Sequence, residues 1–208
     1  MVKFALFKKS TKFSFGVNSI IYLMIFCLLG MGYLDQRFFH LENNLFERIF
    51  QLIAISGLFA ALIVKFMGFS KIERFDGTFY GYLIFKANSI VVNAKSYNLA
   101  EIKRIEISND DYSGKLVNVA SGNFGPALSN GTNNYIIIFL NSGETKKFNF
   151  QLIDSNDFQN LRNEFINYHV NSKMDFWSLA NILGEKSSKE IAELTTQIQM
   201  SGTSSNSK

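Results

Sequence analysis

A run of 22 consecutive uncharged residues, FSFGVNSIIYLMIFCLLGMGYL from Phe13 to Leu34, limits what this chain can become. At 1.5 Å per residue a helix of that length reaches about 33 Å, enough to cross a hydrocarbon core of roughly 30 Å. A second run of equal length, Ile49 to Ser70, carries a single charge, Lys65. A lysine at the centre of a span costs about 2.5–3.5 kcal/mol, but Lys65 sits in the last two turns, where its stem runs along the helix and its ammonium reaches the headgroups. Lys65 and Lys71 therefore read as membrane-interface anchors. The sequence predicts a two-helix transmembrane hairpin over 13–70, with spans at about 13–34 and 49–70.

Charge asymmetry orients the hairpin. Lys3, Lys8, Lys9 and Lys12 precede the first run with no acidic residue among them. Lys65, Lys71 and Arg74 mark the end of the second, while the connector DQRFFHLENNLFER sets Arg37 and Arg48 against Asp35, Glu42 and Glu47. By the positive-inside rule both termini are cytoplasmic, residues 1–12 form a basic cytoplasmic N-terminus, and Phe38, Phe39 and His40 lie near the outer interface. A cleaved signal peptide is the rival reading of the first run, but the run is long for an h-region and GMGYLDQ offers no A-x-A site. Gly57 and Ala61 make a small-xxx-small pair that packs the hairpin on itself or joins two copies.

Beyond Lys71 the pattern changes from continuous to alternating. Phe79, Gly81, Leu83 and Phe85 fall on one face of a strand, and LIFKANSIVVN brackets a hairpin turn at Ala87–Asn88. EIKRIEIS alternates with a phase slip near Lys103–Arg104 that suits a bulge. NYIIIFLN and ETKKFNFQL form an antiparallel pair around Ser142–Gly143. Helical spacing follows: Phe158, Leu161 and Phe165 behind an N-cap at Asp154, then MDFWSLANIL with Gly184 at C′, then a capping box SSKE opening at Ser187. Ile191, Leu194 and Ile198 form the stripe of the last helix, and the polar tail 201–208 reads as disordered.

The hairpin, followed by GYLIFKANSIVVNAKSYNLAEIKRIEIS, the turn SNGTNN, IIIFLNSGETKKFNFQL and a closing helix, resembles bacterial membrane proteins with a pleckstrin-homology (PH)-like domain. The resemblance covers Val17 to Val170 and rests on strand–turn rhythm, not on a diagnostic motif. It implies an α+β fold: a PH-like split antiparallel β-barrel over 72–170, capped by a C-terminal helix, with a helical extension over 171–200. It also implies a binding scaffold; in eukaryotic relatives, basic residues near the barrel mouth bind phosphoinositides.

Chemistry is sparse. The net charge of +4 comes largely from the N-terminus, which argues against a nucleic-acid partner. One cysteine, Cys27, and two histidines, His40 and His169, exclude a zinc cluster, and no cofactor is expected. Ser113–Lys115 lacks P-loop spacing, SGNFG at Ser121 reads as a flexible loop, Asp110–Asp111 as a solvated turn, and His169 as a helix-end residue. The expectation is a non-enzymatic scaffold of a bacterial cytoplasmic membrane that binds a protein partner or its own copy, the extension surface at Trp177, Ile191, Leu194 and Ile198 being the candidate contact. The alternative is an inner-leaflet lipid-headgroup sensor.

Overall fold

The computed structural model describes residues 2–11, 16–34, 44–117 and 123–205. Its chain divides into two compact units, one of Met1–Ser10, Arg74–Lys115 and Asn130–Lys208, the other of Thr11–Glu73 and Leu116–Ser129. Nine strands occur among the described residues: β1 (Phe4–Lys9), β2 (Gly77–Lys86), β3 (Ser89–Val92), β4 (Lys95–Asn98), β5 (Ile102–Ser108), β6 (Ser113–Leu116), β7 (Leu128–Asn130), β8 (Asn134–Leu140) and β9 (Thr145–Phe150). Seven of them, in the order β4-β3-β2-β1-β9-β8-β5, form one antiparallel sheet in the first unit. The sheet is not closed into a barrel.

The most consequential departure from the sequence reading is β1. The segment expected to be a basic lead-in supplies a central strand: Phe4 and Leu6 are buried, and β1 pairs with β2 from Phe4↔Leu83 to Lys9↔Gly77. On its other side it meets β9 at Leu6↔Phe150, where Gln151 N–H donates to Ala5 O at 2.8 Å. The domain therefore does not begin at residue 72.

Local chemistry sets the turns. Asn93 takes φ 56° between β3 and β4, and its side-chain oxygen accepts from Tyr82 N–H at 3.0 Å. Gly143 takes φ 89° between β8 and β9. The slip at Lys103 is a register shift between Ile102 and Arg104, opposite β8. The edge of β5 is covered where Ile105 N–H donates to Lys173 O at 2.8 Å, so no bare strand edge is left at that point.

The core joins Leu6, Leu83, Phe85, Ile90, Ile105, Ile136, Ile138 and Phe150 of the sheet to Phe158 and Phe165 from the chain after it. Phe158 and Phe165 stack at 5.2 Å with 10° between rings. Three helices close this unit: α3 (Arg162–Val170), α4 (Phe176–Ile182) and α5 (Ser188–Ser205). The helix expected from Asp154 starts later, because Asp154 and Asp157 tie a turn: Asp154 accepts from Asn156 N–H at 2.8 Å and Asp157 from Asp154 N–H at 3.1 Å. Tyr168 Oη donates to Lys86 O at 2.6 Å, and burial pushes its phenol well above the ordinary value.

The capping box at Ser187 forms as read: Glu190 accepts from Ser187 N–H at 2.8 Å, and Ser187 Oγ from Glu190 N–H at 3.2 Å. Gly184 takes φ 73° beyond α4, and Asp175 caps α4 by accepting from Ser178 N–H at 2.9 Å. α5 runs through Ser205, past the boundary expected at residue 200, and residues 206–208 lie outside the described set.

The second unit holds two helices, α1 (Val17–Leu34) and α2 (Asn44–Gly68). Among the described residues Arg48–Gly68 is the one helix long and apolar enough to cross a membrane, and no residue of its most apolar 18 is buried in the protein; Val17–Tyr33 is apolar but shorter. The connector residues Phe38, Phe39 and His40, and Lys12 with Phe13–Phe15, lie outside the described residues.

Candidate functional site

The feature that organises the molecule is the place where the helical segment leaves the sheet and returns to it. Beyond the last β1–β2 pair, Lys9↔Gly77, Ser10 N–H donates to Asp76 O at 2.8 Å. Thr11–Glu73 is thus an insertion in the turn of a β-hairpin. β3 pairs with β2 only from Leu83 to Lys86, and β9 meets β1 only at Leu6. Phe7–Lys9 and Gly77–Phe79 therefore run on as a two-stranded ribbon past the body of the sheet. Between Leu6↔Gly81 and Phe7↔Phe79, Tyr80 is an extra residue on β2, a bulge that resets the alternation. For that reason Phe79, expected to share a face with Leu83 and Phe85, lies outside the main core.

Phenylalanines gather on the ribbon. Phe7 is buried under Phe79 and Phe75, with ring centroids at 5.2 and 6.3 Å, and Phe75 meets Phe79 at 5.1 Å. The two covering rings remain open to solvent, Phe75 at 51% and Phe79 at 45%, and Tyr80 at 46%. Lys8, Lys9 and Arg74 are exposed at the same end, beside two acids, Asp76 and Glu73.

In the second unit, the glycine-rich segment is bound to the helix ends instead of hanging free. Asn18 Nδ2 donates to Asn123 Oδ1 at 2.7 Å and Asn18 Oδ1 accepts from Phe124 N–H at 2.7 Å, which satisfies the polar side chain of an otherwise apolar helix. Ala127 N–H donates to Gly68 O at 3.0 Å, and Leu128 N–H to Lys71 O at 3.1 Å. A Cβ on Gly68 would lie 2.6 Å from Gly125 O, so only glycine permits that approach. Ser121 and Gly122 fall outside the described residues.

The anticipated site residues divide. Lys65 is half-buried near the end of α2 and Lys71 is exposed just after it. A Cβ on Gly57 would meet nothing within 4 Å, so Gly57 does not pack on α1; the close approach of α1 and α2 is instead at Gly32, where a Cβ would stand 3.7 Å from Phe50. Ala61 is half-buried one turn after Gly57. Trp177 is 68% exposed beside Phe176, whereas Leu194 is fully buried and Ile191 and Ile198 pack on the same core. The stripe of α5 is therefore a packing face of its own unit, with Arg162 bridging to Glu185 and to Gln197.

Three strand cations are engaged by their neighbours. Arg104 pairs with Glu106 at 2.7 Å and lies over Phe139 at 4.5 Å, Lys147 over Tyr135 at 4.2 Å, and Lys146 pairs with Glu144 at 3.1 Å. His169 Nδ1 sits 2.9 Å from Met174 O, a local tie at the end of α3. Among the described residues no group of three or more His, Cys, Asp or Glu could hold a metal ion.

A buried polar knot was missed by sequence reasoning. Asp111, read as solvated, is 7% exposed: it accepts from Asn133 N–H at 2.9 Å and its own N–H donates to Asn134 Oδ1 at 3.0 Å. Asn134 Nδ2 donates to Gly131 O at 2.9 Å as well as to Asp111 O at 2.6 Å. The signal was the run SNGTNN, whose asparagines favour side-chain-to-backbone bonds. The knot pins the loop ends, with Asp111 Oδ1 left buried without a hydrogen-bond partner.

Comparison with protein-family models, with curated proteins and with solved structures finds no match to this chain.

Proposed function

We propose that this chain is a non-enzymatic, membrane-anchored binding protein, in which an apolar helical insertion holds a PH-like α+β body at the cytoplasmic face of a bacterial membrane, where the body engages another protein or a second copy. One observation carries the reading: β1, ahead of the insertion, is hydrogen-bonded to β2 behind it. Strands of one sheet lie on one side of any bilayer, so the intervening segment crosses an even number of times. Two crossings match the two apolar helices, and the positive-inside rule places the flanking basic residues in the cytoplasm. Removal of the first apolar run as a signal peptide would take β1, with buried Phe4 and Leu6, out of the centre of the sheet.

The PH-like assignment is supported by the strand order, in which a four-strand and a three-strand meander meet at the first and last strands and a helix follows. Such a body is a scaffold for binding, and three cations of its sheet, Arg104, Lys146 and Lys147, are engaged within the protein. A protein contact is accordingly favoured over a headgroup pocket. Purification of the full chain in mild detergent tests this. A reproducible stoichiometric complex, hetero- or homomeric, is expected; a monodisperse monomer with no partner at any concentration contradicts it.

A further inference from the structure

We infer that the β1–β2 ribbon is itself a bilayer-contacting element, its Phe75, Phe79 and Tyr80 seated in an anionic lipid interface and its Lys8, Lys9 and Arg74 set against the headgroups. The inference rests on the membrane reading above and extends it to a part of the folded body that no apolar span includes.

Three observations converge. First, the ribbon is a stretch of β1–β2 that pairs with neither β3 nor β9, so its aromatic side chains have no neighbouring strand of the main sheet on either flank. Phe75 and Phe79 remain about half exposed after covering Phe7, and Tyr80 as much. An isolated two-stranded ribbon is marginal in water, and rings half in and half out are the sort that settle at a membrane interface.

Second, charge is complementary to an anionic leaflet. Lys8, Lys9 and Arg74 are exposed at this end against two acids, exposed Asp76 and half-buried Glu73, and basic residues close to a bilayer are drawn to its negative surface potential. Third, the ribbon is covalently short of the apolar helices. Six residues lead from Gly68 at the end of α2 to Arg74, a reach of about 20 Å at full extension. A ribbon tied this closely to a bilayer-embedded helix end lies within reach of the headgroup layer.

The test uses the full chain in nanodiscs. Trp177 is the sole tryptophan and lies far along the sequence on α4, so the unaltered protein reports the exposed body. Two variants move the fluorophore in a Trp177→Phe background, one with Phe75→Trp and one with Phe79→Trp. Lipids brominated high on the acyl chain quench tryptophans at the interface. The expected result is quenching at both ribbon positions several-fold stronger than at Trp177, and stronger when phosphatidylglycerol is added to phosphatidylcholine. The combined variant Lys8→Gln, Lys9→Gln, Arg74→Gln should lose that anionic increment while both probes still fold. Quenching at either ribbon position no greater than at Trp177, or no response to phosphatidylglycerol, overturns the inference. A parallel alkaline wash without detergent separates the two claims. If the chain leaves the bilayer, the membrane reading itself fails; if it stays and the probes are silent, only the ribbon inference does.

Discussion

Gly131 shows how one residue can be fixed by backbone geometry alone. It takes φ +74°, and a Cβ there would lie 2.1 Å from Leu152 O and 2.7 Å from Ser113 N. Neither neighbour is a flexible side chain. Both belong to the network in which Leu152 N–H donates to Gly131 O and Ser113 N–H to Leu152 O. Gly131→Ala is expected to cost at least about 2 kcal/mol, from backbone strain together with the forced shift of that network, read as a lowered unfolding midpoint in detergent. A contrast at the same scale separates packing from surface. Leu194→Ala should lose about 2–5 kcal/mol because a fully buried leucine leaves a cavity. Trp177→Ala, at an exposed position, should stay within about 0.5 kcal/mol. Equal losses at the two positions would contradict the assignment of α5 as a packing face.

At the scale of elements, the N-terminal caps give a pH dependence with a definite sign. Glu190 is held at about 2 against an ordinary 4.5, because it accepts from Ser187 and Lys186 N–H groups. A carboxyl with a depressed folded value stabilises fully above its unfolded value and loses that contribution as pH falls. The first turn of α5 should therefore lose amide protection between about pH 4.5 and 2, and Glu190→Ala should abolish this step; unchanged acid behaviour in that variant would contradict it. β1 supplies the second element-scale prediction. Deleting residues 2–9 removes the strand between β2 and β9, and the body should become protease-sensitive, whereas a dispensable lead-in would leave it resistant.

Those elements also mark what could be read from the chain. The capping box at Ser187, Gly184, Gly143 and the slip at Lys103 are local signals, each set by residues a few positions apart. β1 was not legible, because its partner Leu83 lies far along the chain beyond both apolar helices and its lysines mimic a topogenic flank. The alternation of Phe4 and Leu6 was the available clue, blurred where the bulge shifts the phase at Phe7. Asp111 was misread for a similar reason: its cover comes from Asn133 and Asn134 across a loop.

For the whole molecule, the consequence of β1 is topological. A helical segment inserted between two paired strands is anchored at both ends in one folded body; on the membrane function proposed above, the flanking strands and the sheet then share one side of the bilayer whatever the helices do between them. The same connectivity requires the N-terminal strand to wait until β2 and β9 have been made before its two neighbours exist. The most direct measurement is the sidedness of the two ends. With Cys27 replaced by serine, single cysteines near each terminus of the full chain are labelled with an impermeant maleimide, in intact cells and in inverted membrane vesicles. The account predicts that both ends are protected in cells and both are labelled in inverted vesicles. Labelling of one end from each side would contradict it.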